Sequence, residues 1–92
     1  MPNKYRFEAA SDTRAAFIIC EYNPRLTALI KEFRTHAEMD AYTSEYLTVQ
    51  VRRQLPILLE VVYSESDDQE LVKKNLVRMA EWYYYTHLTK QR

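Results

Sequence analysis

The chain has 92 residues, 47% of them hydrophobic and 28% charged, with Lys+Arg and Asp+Glu balanced at 13 each and a formal net charge of zero. That length predicts a single domain over 1–92, able to bury about two thirds of its unfolded surface. The charge balance argues against a protein whose main business is coating duplex DNA, and the complete absence of glycine excludes phosphate-cradling loops, where backbone must approach phosphate with no side chain between.

In chain order, KYRFEA sets Tyr5, Phe7 and Ala9 against Lys4, Arg6 and Glu8, the alternation of a half-buried strand. SDTR (11–14) predicts a turn in which Asp12 accepts a left-handed backbone. AAFIICEY (15–22) is apolar and rich in β-formers, so a central strand is expected. Its Cys20 is the chain's single cysteine, so no internal disulfide can form, and it is read as a small buried hydrophobe.

NPRLTALIKEFR supports two readings. Leu26, Leu29, Ile30 and Phe33 fit a helical stripe, with Asn23-Pro24 as N-cap and first helical residue. The preferred reading makes Asn23-Pro24-Arg25 a turn and 26–34 a third strand, because a two-stranded hairpin alone is marginal in water. THAE (35–38) is a capping box. It predicts a helix with Met39, Tyr42, Tyr46 and Val49 on one stripe, ending near Gln54 ahead of Pro56. Segment 57–63, ILLEVVY, is either a fourth strand or a short helix, which periodicity does not separate. After the acidic loop 64–70, Asp67 and Glu70 form a second cap signature, opening a helix to about Thr89. The fold class expected is α+β: an N-terminal three-stranded antiparallel meander packed by two main helices.

The last helix carries Trp82, Tyr83, Tyr84 and Tyr85 in a row. At about 100° per residue these rings spread over about 300° of the circumference, more than one packing face can hold. Val72, Leu76, Met79 and Tyr83, with Ala80 beside them, form the face to bury. Trp82 falls at its margin. Tyr84 lies with Val77 and Leu88, and Tyr85 lands among Lys74, Arg78 and Glu81. Tyr84 and Tyr85 are therefore expected to look outward, and Val77, Tyr84 and Leu88 to form a contact patch, tyrosine being common at binding hot spots.

No catalytic or metal set emerges. His36 lies in HAEMD, which is not H-E-x-x-H and lacks the cysteine pair of a zinc deaminase. The acids Glu65, Asp67, Asp68 and Glu70 lack EF-hand spacing and its glycine, and the later ones suit a helix N-terminus. The cationic candidates are Lys4 and Arg6 on the first strand's polar side, Lys31 and Arg34 on or near the third strand, and Arg52 and Arg53 at the end of the first helix. No apolar run approaches the ~18 residues of a membrane span, and the opening MPNKYRFE has no signal-peptide core.

LIKEFRTHAEMDAYTSEYL, preceded by two strands, resembles two groups of proteins. One is the three-stranded DNA-binding modules of phage integrases and related plant factors, which read DNA with an exposed sheet face and a basic surplus. In size and character the whole chain resembles the other, the small phage-encoded anti-CRISPR proteins, and in particular inhibitors of the type I-F surveillance complex. That resemblance implies a non-enzymatic protein of the infected host's cytoplasm, with no cofactor and no metal. It implies docking on the Cas subunits that line the guide RNA, with contact to the RNA itself left open, and blocked target-DNA binding. The family shares no diagnostic motif, so contact residues come from this chain's own pattern: Arg34, Arg52 and Arg53 as clamps on phosphate or acidic groups, and Tyr84 and Tyr85 as aromatic anchors beside Val77 and Leu88. The expected state is a monomer or weak homodimer. The alternatives are a small DNA-binding regulator using the exposed sheet face, and a dimerising structural module.

Overall fold

A computed structural model describes residues 4–10, 15–53 and 55–88; the expected turn at 11–14 and the expected helix ends at Gln54 and Thr89 lie outside them. The fold is α+β. Strands β1 (Tyr5–Ala9), β2 (Ala16–Cys20), β3 (Leu26–Glu32), β4 (Thr48–Arg52) and β5 (Pro56–Ser64) form one antiparallel sheet in the order β1-β2-β3-β5-β4. Helix α1 (His36–Ala41) lies between β3 and β4, and α2 (Gln69–Tyr83) follows β5. The first three strands are the expected meander. Segment 57–63 takes the strand alternative, and β4 is an element the sequence reading did not contain.

The β2–β3 connection uses Asn23 at φ 58° ahead of a cis bond to Pro24. Asparagine tolerates the left-handed region because its short side chain can hydrogen-bond locally, which a chain without glycine needs. The strand at 26–32 prevails over the helical reading, pairing with β2 on one side and β5 on the other.

The first helix is shorter than expected. Thr35 caps it as read, its hydroxyl accepting the Glu38 N–H at 3.1 Å. The helix then stops at Ala41, and Tyr42 is already extended at φ −72°, ψ 131°. The expected run to Gln54 is overturned by alternation within TVQVR: Val51 is buried and Val49 packs on the core, while Gln50 and Arg52 are exposed. A period of two with β-branched residues favours a strand. A tight hairpin then pairs Arg52 with Pro56, and proline is tolerated as the first residue of a strand. Arg52 and Arg53 therefore belong to a strand end and its turn, not to a helix C-terminus.

Helix α2 buries the expected face. Val72, Leu76, Met79 and Ala80 pack in one cluster with Ile18, Cys20, Leu26, Ala28, Val51, Ile57, Leu59 and Val61. Tyr83 is only half buried. The N-cap is Asp68 rather than Asp67: its carboxylate accepts the N–H groups of Glu70 and Leu71 at 3.1 and 3.2 Å. Asp68→Ala is expected to cost about 1 kcal/mol, read as a lower urea midpoint with unchanged slope, whereas Asp67→Ala leaves the midpoint in place.

Both sheet edges reach α2. Lys73 donates to the Thr48 carbonyl of β4 at 2.9 Å. Trp82 and Tyr83 lie 5.8 and 6.0 Å from the rings of Tyr5 and Phe7 on β1. The sheet thus curls around the helix. On its other face α1 contacts β5, where Met39, Leu58 and Glu60 are buried.

Candidate interaction site

Arg52 and Arg53, expected at the end of the first helix, and Val77, Tyr84 and Tyr85, expected on the last, line one shallow cleft of about 160 Å³ between β4 and the C-terminal half of α2, together with Val49, Gln50, Val51, Ala80 and Glu81. Val77 and Tyr84 are seven residues apart and so share a helix stripe. That stripe does not point wholly to solvent as expected. Tyr84 is half buried and packed against the core, because the strand that replaces the second half of the expected helix lies beside it. Tyr85 is 62% exposed and Val77 40% exposed.

The charges in the cleft have different partners. The Arg53 guanidinium sits 4.8 Å from the centroid of the Tyr84 ring, within cation–π range, and Tyr85 meets Tyr84 edge-on at 5.1 Å. Arg52 is engaged on the far side of its strand: it donates to Asp40 at 2.5 Å and to the Gln50 side chain at 3.0 Å. The hydrogen bond from Arg52 holds the Asp40 carboxyl below the ordinary carboxylate range. The Arg53–Tyr84–Tyr85 group therefore presents a positive charge bedded on aromatic surface, while Arg52 positions the rim.

Two predicted contact residues stand apart. Arg34 is exposed in the turn between β3 and α1 and is not among the residues lining the cleft. Leu88 closes a π-helical turn, Tyr84–Leu88, that continues α2, and its side chain lies outside the described residues. The same turn brings His87 to 4.6 Å from the Phe7 ring and 5.4 Å from Trp82. Most of the terminal rings thus find neighbours on β1 or under Arg53.

Of the remaining cations, Arg6 donates to Glu8 at 2.6 Å and Glu21 at 3.4 Å. Lys4 turns toward α2, reaching the Asn75 side chain at 3.5 Å. Among the acids, Asp68 is taken by the cap, and Glu65 accepts the Arg25 N–H at 3.2 Å.

Glu60 is a feature the sequence reading missed. It is 7% exposed, in the middle of β5 on the α1 side. The Tyr42 hydroxyl donates to its carboxylate, within 3.0 and 3.1 Å of the two oxygens, and the Ser44 hydroxyl also donates to it. Ser44 in turn accepts the Tyr46 N–H at 3.0 Å, so the carboxylate ties the segment after α1 to the sheet. A buried carboxylate needs such donors. The legible signal was an acid inside the apolar run ILLEVVY.

Burial raises the Tyr5, Tyr42 and Tyr83 hydroxyls and the Cys20 thiol above their ordinary values. For each, the neutral form is favoured in the native state. Their stabilising contribution is fully present below the unfolded values, about 8.5 for cysteine and about 10 for tyrosine. It is lost as pH rises through the higher native values. Urea midpoints are expected to hold between neutrality and about pH 8.5 and to fall above it; a midpoint unchanged to pH 11 would contradict this.

No protein family, curated protein or solved structure matches the chain.

Proposed function

We propose that this chain is a non-enzymatic binding protein that docks through the β4–α2 cleft onto an acidic surface of a bacterial nucleoprotein assembly. Its specific target in this proposal is the type I-F CRISPR surveillance complex, whose target-DNA binding it blocks. The observation that carries the reading is the convergence of Arg53, Tyr84, Tyr85 and Val77 in one cleft, with Arg52 at its rim. Arginine and tyrosine are enriched among residues that dominate interface energy, and an arginine stacked on a ring is pre-organised, so it loses little entropy on docking.

Two observations weigh against a DNA-reading regulator and against an enzyme. The side chains of β1, β2 and β3 on the face away from α2 include Phe17, Ile19 and Leu29 with Glu8 and Glu21; Arg6 there is engaged by both acids, and Lys31 lies over the Tyr42 ring at 5.1 Å. A phosphate-reading sheet would need free cations at those positions. Cys20, the strongest nucleophile by type, is fully buried, and burial raises its thiol, which suppresses the reactive thiolate.

Mixing tagged protein with reconstituted type I-F surveillance complex tests the reading. Stoichiometric co-elution and loss of target-DNA hybridisation are expected. Failure to co-elute with the intact complex would rule out that target. Tight, salt-steep binding of the isolated protein to duplex DNA would favour the regulator instead.

A further inference from the structure

We propose that the outer edge of β1 is a self-association surface, on which a second copy of this chain pairs its own β1 antiparallel about a two-fold axis at Phe7. The argument begins with which backbone groups β1 leaves open. The Glu21 N–H donates to the Lys4 carbonyl and the Ala10 N–H to the Ala15 carbonyl, each at 2.8 Å. With the β1–β2 register, these bonds turn the even-numbered residues of β1 toward β2. The N–H and C=O groups of Tyr5, Phe7 and Ala9 therefore point away from the sheet. Among the described residues no strand takes them up.

The other edge is managed differently. In β4 the outward groups belong to Thr48, Gln50 and Arg52, since the Leu47 carbonyl accepts the Val61 N–H of β5. The Lys73 ammonium already occupies the Thr48 carbonyl. Covering an edge with a helix is a recognised way to keep it from pairing, and α2 covers β4 at this carbonyl. On β1 the residues from Arg6 to Ala9 are all exposed, including the aromatic Phe7 at 36%.

The charge pattern selects a second copy as the occupant. Pairing about Phe7 sets Phe7 opposite Phe7, Tyr5 opposite Ala9, and Arg6 opposite Glu8 in both halves. The Arg6–Glu8 pairs fall at the sites that are not hydrogen-bonded, where facing side chains are closest, and opposite charges there are stabilising. Within one chain Arg6 already reaches both Glu8 and Glu21, so its planar fork can keep Glu21 while turning to Glu8 of the second copy. A slip of one residue loses this match, so the sequence Arg6-Phe7-Glu8 also specifies the register. The surface is separate from the β4–α2 cleft and stands whether or not that cleft docks as proposed.

Sedimentation equilibrium of the full chain tests the proposal. Wild type is expected to shift from monomer to dimer with concentration. Ala9→Pro removes one outward N–H and none directed at β2, a placement proline tolerates at an edge. By symmetry it deletes two intermolecular hydrogen bonds, for a roughly tenfold weaker association. Arg6→Glu and Glu8→Arg each place like charges opposite one another and are expected to be monomeric alone. An equimolar mixture of the two restores opposite charges at both sites and is expected to dimerise, which also shows that each variant folds. The proposal is overturned if wild type stays monomeric to about 1 mM, if dimers form that Ala9→Pro does not weaken, or if the mixture gains nothing over its components.

Discussion

Leu76→Ala is expected to lower stability by about 3–4 kcal/mol, more than any surface change in the chain. Leu76 is fully buried, midway along the buried face of α2, in the cluster that joins the helix to the sheet. Truncation removes the transfer energy of its methyl groups and leaves a cavity that a close-packed interior closes only in part. A chain of this length has a total stability on the order of 5–14 kcal/mol, so the loss is a large share of it. The melting temperature is expected to fall by about 15–25 °C. Val77, the next residue on the same helix, is 40% exposed, and Val77→Ala is expected to stay within about 0.5 kcal/mol. Urea unfolding of both variants separates local packing from helix propensity. Equal losses would show that the helix does not seat on the sheet through its Val72–Leu76–Met79–Ala80 face.

That face was legible because it is written in one period along one element. The alternation of Tyr5, Phe7 and Ala9 was legible for the same reason, as was the Thr35 cap, where a local hydrogen bond decides the conformation. What failed was the second half of the first helix. Tyr42, Tyr46 and Val49 continue a helical stripe from Met39, yet 48–52 also alternates, and the two periods overlap at Val49. Tertiary pairing decided between them: β5 offers two edges, β3 takes one and β4 the other. The partner of β4 is the adjacent β5, paired from Arg52 and Pro56 outward, but periodicity leaves ILLEVVY open between strand and helix, so the alternation of TVQVR had no certain neighbour to decide it.

The cleft depends on the same strand. The sequence places Arg52 and Arg53 at the end of one expected helix and Val77, Tyr84 and Tyr85 on another, with nothing to bring the two groups together. Their convergence arises from β4, which runs beside α2 from the Lys73–Thr48 contact to the Arg53–Tyr84 contact. The acid in the Glu60 clamp stands out in ILLEVVY, but what satisfies it does not. Its donors, Tyr42 and Ser44, lie 18 and 16 residues away in sequence and meet it only because α1 ends early and lets the chain turn back across the sheet.

Tyr84→Ala is expected to weaken partner binding by roughly 30-fold or more, the scale of an aromatic hot spot, in a titration against the surveillance complex. Because Tyr84 is half buried and packed on the core, the substitution also lowers stability, so that variant alone does not separate docking from folding. Tyr85 does: at 62% exposure, its replacement by alanine is expected to leave the urea midpoint within about 0.5 kcal/mol of wild type while still reducing affinity. Arg53→Ala removes the charge above the Tyr84 ring, and Arg53→Lys restores charge without the planar stacking surface, so lysine is expected to recover only part of the loss. Arg52→Ala acts indirectly, freeing the Asp40 carboxylate it holds at 2.5 Å and adding repulsion toward an acidic partner. Arg34→Ala, outside the cleft, is expected to change nothing. If Arg34→Ala weakens binding while Tyr85→Ala and Arg53→Ala do not, docking occurs near the β3–α1 turn, and the β4–α2 cleft is not the contact surface.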